Sequence, residues 1–162
     1  MRHKTLIQAM NSVITTLKVK GSDGDENLSL TEDRIRLAMT DIRYLMKRLE
    51  LTAAQALLFS AIMEKSSSYR LDQSELAEFM GLSYLEFLQY SDDLKVLADR
   101  WLIRLKADRN SIRVPDDVVK TITQDSIYRK PGTEWYTAVG VLRRFKQLFK
   151  LRESNELEYE PM

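Results

Sequence analysis

Gly81 stands between two helix-start signals, and that arrangement restricts the fold more than any other stretch of the chain. Asp72 offers a side-chain oxygen to a helix N-terminus, and Glu75, three residues on, reaches back to it. Ser83 and Glu86 repeat the pair just after the glycine. Leu76, Ala77, Phe79 and Met80 form the apolar side of the first helix, which Gly81 ends as a left-handed cap. The second is predicted to open at Ser83 and to carry Leu85, Phe87, Leu88, Leu94, Val96 and Leu97. Two helices joined by so short a turn read as a helix-turn-helix.

The flanks extend this unit from Thr52 to Val114. Thr52 caps a helix in which Ala56, Leu57, Phe59, Ser60, Ile62 and Met63 recur at helical spacing, until Lys65-Ser66-Ser67-Ser68 ends the run. Tyr69-Arg70-Leu71 is short and suits an extended strand. Trp101 to Lys106 and Ser111 to Val114 alternate around Ala107-Asp108-Arg109-Asn110, the pattern of a hairpin. Helix, strand, helix, glycine turn, helix, hairpin is the order of a winged helix. The expected fold class is mainly α with a small β-hairpin wing: a winged helix-turn-helix core flanked by N- and C-terminal helices.

Outside that core the pattern is simpler. Residues 1–20 hold an amphipathic helix with Leu6, Ile7, Met10, Val13, Ile14 and Leu17 on one stripe, which is expected to pack. Residues 21–30 are a polar break with the composition of a mobile loop. Asp23, Asp25 and Asn27 begin a calcium-loop pattern, but its glycine position is Leu28 and its final glutamate position is Arg34, so the match fails. Residues 31–130 form the winged-helix domain with its leading helix, started by Thr31 and Asp33 and lined by Ile35, Leu37, Ala38, Ile42, Leu45, Met46 and Leu49. Pro115 is placed in the first turn of a short helix whose Val118, Val119 and Ile122 point inward. Residues 131–162 are a connector helix and an acidic tail. Trp135, Tyr136, Leu142, Phe145 and Phe149 give the connector an apolar side suited to docking. The tail, rich in glutamate up to Pro161-Met162, reads as a cut linker.

Chemistry is scarce. Among the 162 residues there is no cysteine and a single histidine, His3, so thiolate catalysis, disulfides and a His/Cys zinc site are excluded. None of the five glycines precedes a Gly-Lys-Ser or Gly-Lys-Thr, so there is no phosphate loop. Asp92 and Asp93 are neighbours on a helix and diverge by about 100° around its axis, which separates them as an acid–base pair. No catalysis and no cofactor are expected. A cytoplasmic protein is expected, with no membrane contact, since no apolar run approaches the roughly 20 residues a bilayer requires.

Two kinds of partner stay open. In a DNA-reading winged helix the third helix enters the major groove and the wing rests on phosphates. Here Ser83 to Arg100 carries Glu86, Asp92, Asp93 and Asp99 against Lys95 and Arg100, a balance of −2. Acidic charge is repelled where phosphate would be closest. The wing, with Arg104, Lys106, Arg109 and Arg113 against Asp108, stands at +3, and Gln89 is the one amide available for a base. The first reading is therefore a protein-docking module, whose partners include a second copy of the chain. The alternative is a duplex-DNA regulator that holds phosphates through its basic wing.

Ala56 to Ser60, Leu76 to Gly81, Asp93 to Leu97, Arg100 to Ile103 and Val114 to Val118 resemble the N-terminal region of Bacteroides-type AAA-family ATPases. The resemblance covers about Asp33 to Asp125 and rests mostly on structural positions. It implies a winged-helix-like regulatory or targeting module ahead of an ATPase core, with that core as a partner. None of the family's ATPase motifs falls in these residues, so no catalytic role is carried over.

Overall fold

The computed structural model describes residues 4–21, 24–66, 71–106 and 111–130. The chain divides into two units, Met1–Tyr128 and Arg129–Met162, and every helix and strand described lies in the first. The predicted docking residues Trp135, Tyr136, Leu142, Phe145 and Phe149 lie outside the described residues, as does Arg109.

The first unit is mainly helical and is built around α3 (Ala53–Lys65). The Thr52 hydroxyl accepts from the Gln55 N–H, and the Gln55 side chain accepts from the Thr52 N–H, so the helix starts with two of its free donors satisfied. Every residue from Gln55 to Ile62 is buried. A helix with no solvent face belongs in a core. Its polar groups are met from within: Ser60 donates to the Ala56 carbonyl, and Gln55 donates to Asp93 at 3.1 Å.

α1 (Leu6–Leu17) lies against α3 and α2 (Glu32–Leu49) with Leu6, Ala9, Met10, Val13, Ile14 and Leu17 buried. Ala38, Ile42, Leu45 and Leu49 are the buried row of α2. Leu37, predicted on that face, points out and is 76% exposed, because it lies a full turn-fraction off the row that Ala38 and Ile42 define.

The stretch expected as a loop is partly a hairpin. β1 (Lys18–Lys20) pairs antiparallel with β2 (Glu26–Leu28), Lys18 opposite Leu28 and Lys20 opposite Glu26. Gly24, just ahead of β2, is at φ +90°, where glycine is favoured. The Lys18 ammonium sits 2.9 Å from Glu64 on α3 and 3.5 Å from Glu26, pinning the hairpin to the core helix. Its hydrogen bond to Glu64 is the main reason the Lys18 pKa is raised.

After α3 come β3 (Leu71–Asp72), α4 (Gln73–Phe79), α5 (Tyr84–Leu88), α6 (Ser91–Asp99), β4 (Arg104–Lys106), β5 (Ser111–Arg113) and α7 (Asp116–Thr123). The helix expected from Ser83 onward is thus two helices. The Ser91 hydroxyl takes the Leu88 carbonyl, and Tyr90 has left the helical region, at φ −94° and ψ 10°. A side-chain bond to the backbone competes with helix continuation at that point. The hairpin is also shorter than predicted, since Trp101 to Ile103 turn rather than extend and both Leu102 and Ile103 are buried. The sheet runs β3-β5-β4, antiparallel throughout. Pro115 is the residue before α7 rather than in its first turn. Val118 and Ile122 are buried as expected, but Val119 is 38% exposed, a helical step away from their line.

Asp125 closes the unit onto its beginning. Its carboxylate accepts from the Leu6 N–H at 2.8 Å and from Arg48 at 3.2 Å, while Arg48 also donates to the Asp125 carbonyl and the Tyr44 hydroxyl. Among the described residues no helix is long and apolar enough to cross a membrane.

Candidate functional site

The surface that follows the Gly81 turn is built by local rules. Leu82 donates to the Ala77 carbonyl and Gly81 to the Glu78 carbonyl, the paired bonds that terminate α4 on a left-handed residue. Ser83 then caps α5: its hydroxyl accepts from the Glu86 N–H, and the Glu86 carboxylate accepts from the Ser83 N–H at 2.9 Å. That backbone bond, joined by the Ser83 side chain, holds the Glu86 pKa below its usual value.

With a depressed folded pKa, the contribution of Glu86 is present above the unfolded carboxyl pKa and disappears as pH falls through the folded one. An NMR titration of the Glu86 carboxyl is therefore expected to give a midpoint below that of a free glutamate. Ser83→Ala keeps the backbone donor and removes the hydroxyl, so the midpoint should move up only part of the way; an unchanged midpoint would show that the Ser83 hydroxyl does not act on the Glu86 carboxylate.

Beyond this cap the outward residues are apolar and acidic. Leu85 is 77% exposed, Tyr84 48% and Leu88 39%, with Glu86 and Asp92 on the surface beside them. Gln89 is exposed at the end of α5. The basic residues expected to offset the acids are partly committed elsewhere. Arg100 donates to the Leu49 and Glu50 carbonyls at 2.7 and 2.8 Å, and so serves the C-terminus of α2.

The hairpin carries the opposite charge. The register sets Arg104 across from Arg113 and Lys106 across from Ser111, which brings Arg104, Arg113 and Lys106 to one face with all three exposed. Like charges directly opposite disfavour a strand pair. Leu105 lies on the other face, across from the buried Ile112. Arg104 also acts on Tyr128, whose pKa is raised by burial and by Asp117 against the opposing influence of the guanidinium.

Between α6 and β4 lies a groove of about 350 Å³ lined by Ala98, Trp101, Ile103, Arg104, Leu105 and Lys106. No family model matches the chain, and no characterised protein or solved structure matches it either. Trp101, predicted to open the hairpin, lies at this groove instead. It occupies the left-handed position after α6, at φ +60°, with its own N–H on the Ala98 carbonyl and that of Leu102 on the Leu97 carbonyl. This is the geometry that Gly81 adopts after α4. A tryptophan there costs on the order of 1–2 kcal/mol relative to glycine, and the residue is 41% exposed beside the groove. No local signal marks it, because the usual glycine is absent. Among the described residues no group of three His, Cys, Asp or Glu side chains is placed to hold a metal ion.

Proposed function

We propose that residues 52–114 form a winged helix-turn-helix that works as a non-catalytic docking module, the regulatory N-terminal region of an AAA-type ATPase. The element order α3, β3, α4, glycine turn, α5–α6, β4, β5 supports the fold assignment. One observation carries the docking reading. Where a DNA reader would place cations, the helix after the turn sets an exposed Leu85 beside a carboxylate, Glu86, that already occupies the helix N-terminus. A phosphate would have to displace that carboxylate or sit against it. An apolar patch with acidic rim residues instead suits a polypeptide surface.

The hairpin face of Arg104, Arg113 and Lys106 favours the second reading, in which a duplex is held by phosphate contacts alone. One pair of measurements separates the two. Calorimetry against an AAA-type ATPase core from the same source is expected to show binding, weakened by about tenfold or more in Leu85→Glu, the loss of an apolar anchor. Anisotropy with a random duplex at about 50 mM salt is expected to show no saturable complex. Duplex binding that falls steeply with salt and is lost in Arg104→Ala/Arg113→Ala would reverse the assignment.

A further inference from the structure

The three-stranded sheet ends on β4. β5 has a neighbour on each side, whereas no described strand pairs with the outer edge of β4. Such an edge presents backbone N–H and C=O groups that another strand can take. All three of its residues are exposed. They alternate basic, apolar, basic, so the two faces of the edge differ chemically. One face holds Arg104 and Lys106 with Arg113 across the ladder, and the other directs Leu105 toward the side of Ile112. The groove beside this edge is lined by the half-exposed Trp101 together with Arg104, Leu105 and Lys106.

We propose that β4 is the landing strand for an extended acidic segment of a partner protein, in which carboxylates alternate with leucine-sized or aromatic side chains. The segment adds a fourth strand. Its backbone pairs with the edge, and that pairing sets its register. Because side chains on a strand alternate faces, carboxylates two residues apart meet the Arg104, Arg113 and Lys106 face together. The intervening apolar residues fall on the other side, the face of Leu105. The complementarity also accounts for the like-charged pair: Arg104 opposite Arg113 is unfavourable alone and becomes favourable with a carboxylate between them. A nucleic acid satisfies the cations but leaves the strand's backbone groups without a partner. This proposal rests on the reading of the unit as a protein-docking module.

The test uses the full chain and a short synthetic peptide alternating glutamate with leucine and tyrosine. Chemical-shift mapping on labelled protein is expected to move the Arg104, Leu105 and Lys106 amides. Affinity should fall by about tenfold in Arg113→Glu, the scale of one lost charge-assisted pair. It should fall comparably when alternate amides of the peptide are N-methylated, which removes donors and keeps every charge. Circular dichroism of Arg113→Glu checks that the variant is folded. Equal binding of the N-methylated peptide would overturn strand addition, and displacement of the peptide by a thymidine oligonucleotide would assign the site to nucleic acid. If the peptide does not bind while Leu85→Glu still weakens ATPase-core binding, the β4 charges only guard an edge against aggregation, and the docking module stands without this site.

Discussion

Replacing Phe59 with alanine is expected to lower the stability of the first unit by about 3–5 kcal/mol, the usual range for a fully buried phenylalanine. Phe59 is 0% exposed and lies near the middle of the helix whose whole circumference is buried from Gln55 to Ile62. Phe59 belongs to the one buried core cluster and has no exposed surface, so truncation leaves a cavity within the core rather than at its rim. Collapse would have to move α1, α2 or α6, all of which pack on α3. The loss includes both the transfer of the ring and an unfilled cavity. Urea denaturation should show the midpoint moving down with an unchanged slope, and the thermal midpoint falling by roughly 10–20 °C. A loss below about 1 kcal/mol would mean that the core relaxes around the site and that α3 is not its centre.

Gly81→Ala is expected to cost about 2–4 kcal/mol, for two separate reasons. The backbone is left-handed at φ +71°, which an alanine adopts at a penalty of about 1–2 kcal/mol. A Cβ there would also stand 2.5 Å from the Leu28 carbonyl oxygen. That oxygen is backbone, in β2, and has no rotamer through which to retreat. Either the α4–α5 turn or the β1–β2 hairpin must shift. Gly24→Ala supplies the comparison, since Gly24 is at φ +90° but a Cβ would meet nothing within 4 Å. It should cost about 1 kcal/mol, the conformational part alone. The excess of Gly81→Ala over Gly24→Ala measures the close approach, and two equal losses in denaturation would show that the Leu28 contact does not constrain the fold.

These two positions show different kinds of legibility. Gly81 was readable as a helix end, because the residues that end α4 lie within six positions of one another. The reason it admits no side chain was not readable, because Leu28 is supplied from the other end of the unit. Phe59 was readable as apolar, but not as the centre of a helix with no outer face, since periodicity alone assigns it only to one side. The candidate site divides in the same way. The charge pattern of Arg104, Lys106 and Arg113 and the acids after Ser83 are plain in the sequence. That Arg104 faces Arg113, that Leu85 is displayed while Phe87 is buried, and that Arg100 is spent on α2 are not.

By itself the sequence determined the helix starts at Thr31, Thr52, Asp72 and Ser83 and the stop at Gly81. A cap is a bargain among neighbours three to five residues apart, and those residues are adjacent in the text. Only the tertiary structure decided the β1–β2 hairpin, the left-handed Trp101 and the closure of Asp125 onto Leu6 and Arg48. The closure joins groups far apart along the chain. The Trp101 turn sets Leu97 and Leu102 into a shared core, a demand that no local window of residues expresses.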